Sequence, residues 1–434
     1  MINSNINKNV SVVTLGCAKN LVDSEYLVTG LKYIGYSMTN NVDESSIVII
    51  NTCGFLDVAR EESIEKILEI EEKKQKGYID KVIVMGCLAE RYGSELQKEI
   101  PGVDKFFGSE EHEAVIRYIS GKSFNLDDPD IIRASLTPNH YSYLKIAEGC
   151  DNACSFCSIP IMRGFQKSQP LRWNIEEAKR LASRGVKELL VIAQDSTSYG
   201  WDASPKTSLH ELFSELDKID GIEWLRLHYA HPSNLHRDMI NQFKTLEKLI
   251  PYIDMPIQHG SDKMLKIMRR GLKSDGIKKK IEALRKVNNN IAIRTSIIVG
   301  HPGENDKEFN EMLDFISSIK FDRLGVFQYS HEESTLAGDT MNDNIPKEVK
   351  QQRFDETMAL QQRINFKKNQ SLIGTTQKVL IDISKENLSL GRTFRDSPTI
   401  DNYVKINKNL EPGKFYDIHI DSAEEYDLIG KVTN

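Results

Sequence analysis

Six cysteines, all within the first 157 of 434 residues, constrain this chain more than any other feature. Three are spread out, at Cys17, Cys53 and Cys87, with gaps of 36 and 34 residues, and three, Cys150, Cys154 and Cys157, are packed into eight residues. Each spread cysteine follows a short run rich in β-branched residues: VSVVTL (10–15), SIVIIN (46–51) and KVIVMG (81–86). Between these runs lie the helical segments SEYLVTGLKYIG (24–35) and REESIEKILEIEEKKQK (60–76). The second carries acids early and lysines late, as the helix dipole favours. Strands alternating with such helices predict a parallel sheet. Parallel sheets gather their sites at the carboxyl ends of the strands, so one sheet edge would receive all three cysteines.

A polar stretch, GKSFNLDDPD (121–130), reads as a boundary. Beyond it a longer series begins, with candidate strands YLKIAE (143–148), ELLVIAQD (188–195), WLRLHYA (224–230), IDMPIQH (253–259), IAIRTSIIVG (291–300) and RLGVFQYS (323–330). Amphipathic helices separate them, and six such units predict a partial or complete β/α barrel with its chemistry at the strand carboxyl ends. A long helix (346–370) follows. From Thr375 onward, five short strands without helices predict a small antiparallel β-barrel. The expected class is α/β, in three domains: 1–130, 131–370 and 371–434.

The 57 basic and 63 acidic residues leave a net charge of −6, which argues against attachment to nucleic acid by bulk charge alone. Mean hydropathy is −0.42, and no apolar run approaches the roughly 20 residues of a membrane helix. The segment MINSNINKNV holds no hydrophobic signal core. A cytoplasmic protein with no membrane partner is expected. A reducing compartment disfavours disulfides, so the cysteines read as metal or redox residues.

EGCDNACSFCSIP carries the spacing C-x3-C-x2-C. Three close thiolates suit three irons of a 4Fe–4S cluster, leaving the fourth iron open to a small molecule. Structural zinc takes four protein ligands; no fourth cysteine lies nearby, and the nearest histidine, His140, precedes the strand. The spread triad alone leaves open either three buried strand-end cysteines or a second metal site.

The compact motif, with Phe156 before its last cysteine, resembles that of the radical S-adenosylmethionine superfamily. Together with LGCAKNLVDSE, NTCGFLDVAREES and MGCLAERYG it resembles the methylthiotransferase family along essentially the whole chain, ending in a TRAM module. The resemblance implies two 4Fe–4S clusters, one on Cys150, Cys154 and Cys157 and an auxiliary one on Cys17, Cys53 and Cys87. It also implies S-adenosylmethionine as cofactor, used twice per turnover, a low-potential electron donor and a sulfur donor. Within SIIVGHPGE (296–304), Gly300, Gly303 and Glu304 match the segment that packs against the adenine, although an ordinary strand–turn–helix reads the same way. Gln194 and Asp195, at a strand end, are candidate cofactor or substrate contacts. Arg294 suits a bidentate carboxylate contact, to the cofactor or in a structural ion pair. His228 and His231 read as satisfied core or turn histidines.

The family modifies either transfer-RNA adenosine or, in another branch, the β-carbon of an aspartate in small-subunit ribosomal protein S-twelve. Ala18-Lys19-Asn20 after Cys17, MRG (162–164) and RDSPTID (395–401) resemble the protein-modifying branch. Residues 371–434 hold eight basic and ten acidic residues, net −2. An acidic terminal module fits a basic ribosomal protein better than a nucleic acid. Gln169 departs from the branch, which usually has Ser-Arg-Pro where this chain has Ser168-Gln169-Pro170. The expected activity is aspartate methylthiolation of that ribosomal protein; the alternative is transfer-RNA adenosine methylthiotransfer.

Overall fold

The computed structural model describes residues 9–125 and 131–433. Most of the expected signal-free amino terminus and the second half of the expected boundary stretch lie outside them. The chain divides into two compact units.

The first unit comprises Met1–Thr137, Glu148–Asp151 and Ser158–Gln166. Its elements are β1 (Asn9–Thr14), α1 (Ala18–Tyr33), β2 (Ser37–Met38), β3 (Ile47–Thr52), α2 (Asp57–Gln75), β4 (Lys81–Gly86), α3 (Cys87–Glu99), β5 (Lys105–Phe106), α4 (His112–Ser120) and α5 (Ile159–Arg163). The sheet is parallel with strand order β2-β1-β3-β4-β5, a doubly wound arrangement. All six residues of β3 are buried, as expected of a central parallel strand covered on both faces. One face packs Leu27, Leu31, Ile49, Ile83 and Val115; the other packs Val48, Ile50, Ile67, Ile70 and Val82. The three expected strands are those of the sheet's centre. Two-residue strands β2 and β5 were not anticipated, being too short to show a period.

The second unit comprises Pro138–Ala147, Asn152–Cys157 and Lys167–Asn434. Along the chain come β6 (Tyr141–Lys145), the two-residue strands β7 (Ala147–Glu148) and β8 (Lys167–Ser168), then β9 (Glu188–Ile192), β10 (Trp224–Leu227), β11 (Leu249–Asp254), β12 (Ala292–Val299) and β13 (Arg323–Gln328). Helices α6 (Leu171–Ser183), α7 (Leu209–Leu216), α8 (Arg237–Thr245), α9 (Asp262–Ile267), α10 (Ser274–Val287) and α11 (Asp306–Ile319) separate the later strands. The six long strands form an open parallel sheet, β13-β12-β11-β10-β9-β6, so the barrel is partial. The fourth strand lies earlier than the sequence implied, at 249–254 rather than 253–259. Pro256 has no N–H for the ladder, and beyond it only an isolated bridge, Gln258 to Ile297, continues the pairing.

After α12 (Leu336–Thr340) and α13 (Lys347–Gln370), strands β14 (Thr376–Lys385), β15 (Leu388–Arg392), β16 (Val404–Ile406), β17 (Phe415–Ala423) and β18 (Leu428–Val432) close a small barrel in the order β14-β15-β16-β18-β17. Four pairings are antiparallel and β16–β18 is parallel.

Within this unit the small barrel is joined to the sheet by buried charge. Arg392 donates to both oxygens of Asp382, at 2.6 and 2.9 Å, and pairs with Glu188 at 2.8 Å; Glu188 also accepts from Arg226 at 2.6 Å. Arg226 reaches the Phe394 carbonyl at 2.8 Å, and Arg323 pairs with Asp396. Arg392, Arg226 and Glu188 are fully buried. Trp224 and Phe415 meet edge to face, with centroids 4.8 Å apart. Glu188, Trp224, Arg226 and Arg323 all lie at or near the first residue of their strands, so the small barrel sits against the amino-terminal end of the sheet.

Candidate metal centres and the residues around them

The first unit brings the spread triad together. Cys17 caps the amino terminus of α1, Cys53 follows β3, and Cys87 opens α3. Gly86 makes that last turn possible. Its φ is +102°, and a Cβ there would lie 2.4 Å from Asn51 Oδ1, so no side chain fits. The Cys17 and Cys87 sulfurs stand 4.0 and 3.9 Å from one atom, Asn20 Oδ1. A Cβ on Gly16 would be 3.0 Å from the Cys53 sulfur. Asn20 is fully buried and donates to the carbonyls of Leu15 and Thr52, at 2.9 and 3.0 Å. It thus ties the ends of β1 and β3.

Burial pushes the Cys87 thiol up to about 12, against the lowering effect of Arg163, and Cys17 and Cys53 add to the rise. Burial likewise raises Cys53. The Cys53 and Cys87 thiolates are therefore unfavourable without a cation, and iron coordination supplies one. Among the described residues, no three His, Cys, Asp or Glu side chains surround a point as closely as a single metal ion requires. Ligands of a multi-iron cluster bind separate irons, so the three-thiol set fits a cluster.

Cys150 also belongs to the first unit, where it is buried and donates its N–H to the Gly164 carbonyl at 3.1 Å. Gly149 before it has φ +72°, and a Cβ would fall 2.0 Å from the Phe165 carbonyl oxygen.

Cys154 and Cys157 belong to the second unit and share a tight turn, with the Cys157 N–H 3.2 Å from the Cys154 carbonyl. Arg270 donates to the Cys154 sulfur at 3.0 Å and to the Pro256 carbonyl at 2.6 Å. The Phe156 ring meets His301 edge-on at 6.3 Å, and His301 meets Tyr329 at 4.7 Å. Arg270 Nε, His231 Nε2, His301 Nε2 and Tyr329 Oη are buried with no hydrogen-bond partner. Buried polar atoms are normally paired, so this group fits a polar ligand such as S-adenosylmethionine. Sequence reasoning passed over Arg270, His301 and Tyr329. Only the position of His301 inside the glycine segment offered a signal.

The other sequence candidates in this unit are engaged within the protein. Asp195 accepts from Thr197 N–H at 2.9 Å, Ser198 Oγ at 2.7 Å, Asn152 at 2.7 Å and Asn234 at 2.8 Å. Burial alone would raise its carboxyl, but the Thr197 hydroxyl and these donors hold it below its usual range. Asp195 thereby fixes Asn152 beside the cysteine turn. Gln194, its neighbour, is half-buried. Gly300 has φ +72° and donates to Glu304 at 2.9 Å; Glu304 also meets His259 at 2.9 Å and Arg353 at 2.7 Å. Arg294 donates to Asp254 at 3.0 Å and Asp401 at 3.3 Å, so its carboxylates come from the chain itself. His228 is buried, 3.0 Å from Ser397, and His231 is bonded to Ser233 at 2.7 Å. The segment RDSPTID is anchored inward at two points and exposed between them: Asp396 and Ser397 are buried, Thr399 and Ile400 are exposed, and Asp401 bonds Tyr252 at 3.1 Å.

Three family models match the chain: the uncharacterized protein family UPF0004 over residues 9–108, the radical SAM superfamily over 144–316 and the TRAM domain over 373–433. Among solved structures, the radical S-adenosylmethionine methyltransferase TsrM from Kitasatospora setae matches with a TM-score of 0.56 at 14% identity, covering 76% of this chain and 74% of that one. At that identity the match speaks for the fold. Among curated proteins, the ribosomal protein uS12 methylthiotransferase RimO of Christiangramia forsetii is 46% identical over 98% of this chain and 94% of its own length. That of Bacteroides thetaiotaomicron is 44% identical over 98% and 99%. Radical SAM membership implies a 4Fe–4S cluster and S-adenosylmethionine. With cysteine centres, domain matches and full-length identity in agreement, the chain belongs to the RimO family of radical S-adenosylmethionine methylthiotransferases.

Proposed function

We propose that this protein methylthiolates the β-carbon of an aspartate in ribosomal protein uS12, in the cytoplasm, using two molecules of S-adenosylmethionine and two 4Fe–4S clusters. Cys150, Cys154 and Cys157 would hold one cluster, and Cys17, Cys53 and Cys87 the other. Bound there, the first supplies the electron that cleaves S-adenosylmethionine to a hydrogen-abstracting radical, and the second supplies sulfur. The chain's own residues prepare both sites. Arg270 orients Cys154 and places a positive charge beside it, Asp195 fixes Asn152 next to the turn, and Phe156, His301 and Tyr329 offer an aromatic and polar wall for the cofactor. Asn20 fixes the strand ends that carry Cys17 and Cys53. A low-potential electron donor and a sulfur donor complete the cycle.

The observation that carries this reading is the gathering of Cys17, Cys53 and Cys87 around Asn20. A radical enzyme that only cleaves S-adenosylmethionine has no need of a second thiol triad. The acceptor is supported by the relatives' named activity. Mass spectrometry of uS12 and of transfer-RNA nucleosides from a strain lacking the gene tests it. Loss of the methylthio group from uS12 alone is the expected result. Loss from an adenosine, with uS12 unchanged, would transfer the enzyme to the transfer-RNA branch.

A further inference from the structure

Arg163, the last residue of α5, is buried in the first unit beside the spread triad. Its Nε donates to the Cys87 sulfur at 3.1 Å. Nη1 bonds Asp23 at 2.7 Å and Glu148 at 3.2 Å, and Nη2 bonds Asn20 Oδ1 at 2.5 Å. All three guanidinium nitrogens are therefore aimed, and two of them address the sulfur and the amide around which the thiols gather. Asp23 is itself buried and lies 3.8 Å from His112, while Glu148 is buried at 4% exposure. Two carboxylates more than balance the cation, yet of these three charged groups the cation is the one bonded to the Cys87 sulfur.

We propose that Arg163 is a positioning residue of the auxiliary centre, holding Cys87 in place and setting the reduction potential of the cluster bound by Cys17, Cys53 and Cys87. The inference rests on the two-cluster reading above. A hydrogen bond to a ligating sulfur and a fixed positive charge both stabilise the electron-rich, reduced form of an iron–sulfur centre, and so raise its potential. Lysine offers one point charge in place of a planar fork, so it retains the charge and loses the simultaneous grip on Cys87, Asp23 and Asn20. Asp23 acts in the opposite direction, drawing the cation's charge away from sulfur.

The test uses the full chain with Cys150, Cys154 and Cys157 replaced by alanine, so that a single centre remains, titrated electrochemically under electron paramagnetic resonance. Relative to that parent, Arg163→Gln is expected to lower the reduced-to-oxidised ratio at a fixed poise about tenfold, equivalent to about 59 mV for one electron. Asp23→Asn is expected to shift the ratio the other way, and Arg163→Lys to restore most of the parent potential. A merely structural ion pair would lower thermal stability in Arg163→Gln and Asp23→Asn without moving the potential. Should Arg163→Gln fail to load iron, Asp23→Asn and Arg163→Lys still decide. If every loaded variant titrates with the parent, the proposal is overturned. If the parent itself binds no iron and sulfide, the two-cluster reading falls first and the proposal with it.

Discussion

Replacing Arg392 by alanine should loosen the small barrel from the sheet it abuts. The side chain is fully buried, bidentate to Asp382, and paired with Glu188. Truncation leaves Asp382 with His140 at 2.8 Å and Glu188 with Arg226 at 2.6 Å, each carboxylate short of one charged partner in a buried site. Removing one member of a buried pair costs roughly 3–5 kcal/mol, because the remaining charge stays desolvated. Against a total stability of about 5–15 kcal/mol this is a large fraction. At roughly 2–4 °C per kcal/mol for a unit of this class, the melting point should fall by about 6–20 °C. Trp224, packed on Phe415, reports the joint by fluorescence, alongside scanning calorimetry. The control is Lys405→Ala, which breaks an exposed pair with Glu424 on the same barrel; exposed pairs contribute about 0–1 kcal/mol. An Arg392→Ala protein that melts within about 2 °C of the unmodified one, no further displaced than Lys405→Ala, would refute the claim that buried charge joins the two bodies.

Three further outcomes follow from the sites. Cys154→Ala removes a thiolate from a three-ligand set, so purified, reconstituted protein should form no 5′-deoxyadenosine by chromatography. Cys53→Ala should abolish the methylthiolated product while S-adenosylmethionine cleavage persists, and iron analysis should drop from about eight to about four per chain. The third concerns pH. Burial alone would raise the Asp254 carboxyl, but Arg294 and His228 hold it at about 2, below its unfolded value of about 3.9. A carboxyl depressed by folding stabilises above its unfolded pKa and loses that contribution as pH falls toward the folded one. About 1 kcal/mol should therefore be lost between pH 6 and pH 3, and urea unfolding of Asp254→Asn should show a correspondingly shallower decline.

The sheet of the first unit was legible because its central strands are unbroken β-branched runs, and each run points to a cysteine one to three residues past its end. The five strands of the small barrel were legible as short strand-like runs with no helix between them. The charges between bodies were not. Arg226 sits in WLRL and Glu188 opens ELLVI, and locally each reads as one polar residue in an apolar strand. Their partners arrive from β15 and from Phe394, 168 residues beyond Arg226. Arg163 was visible only as part of MRG, because its contact with Cys87 spans 76 residues. The same holds for RDSPTID, which resembles the protein-modifying branch in sequence and, through Asp396, Ser397 and Asp401, braces the barrel against the sheet in the fold. Of the ten acids counted in residues 371–434, Glu424 and Asp427 share Lys405, at 2.7 and 3.0 Å, and Glu425 accepts from Gln362 at 2.6 Å. That rim is less negative than its count of acids implied.

The anchoring of residues 392–401 on the sheet through Arg392, Asp396, Ser397 and Asp401 has a consequence for how such enzymes can be recombined. A terminal barrel grafted from a relative at 44–46% identity brings its own version of this loop. It then faces a host sheet whose Glu188, Arg226, Tyr252, Arg294 and Arg323 are partnered by residues 392–401 of the host's own barrel. Where the relative's loop differs, a chimera cut at residue 371 would lose partners at these five positions, whatever acceptor its barrel prefers. A cut that carries the five host residues along with the barrel would separate compatibility from recognition, and only then would a change of acceptor report on the module itself.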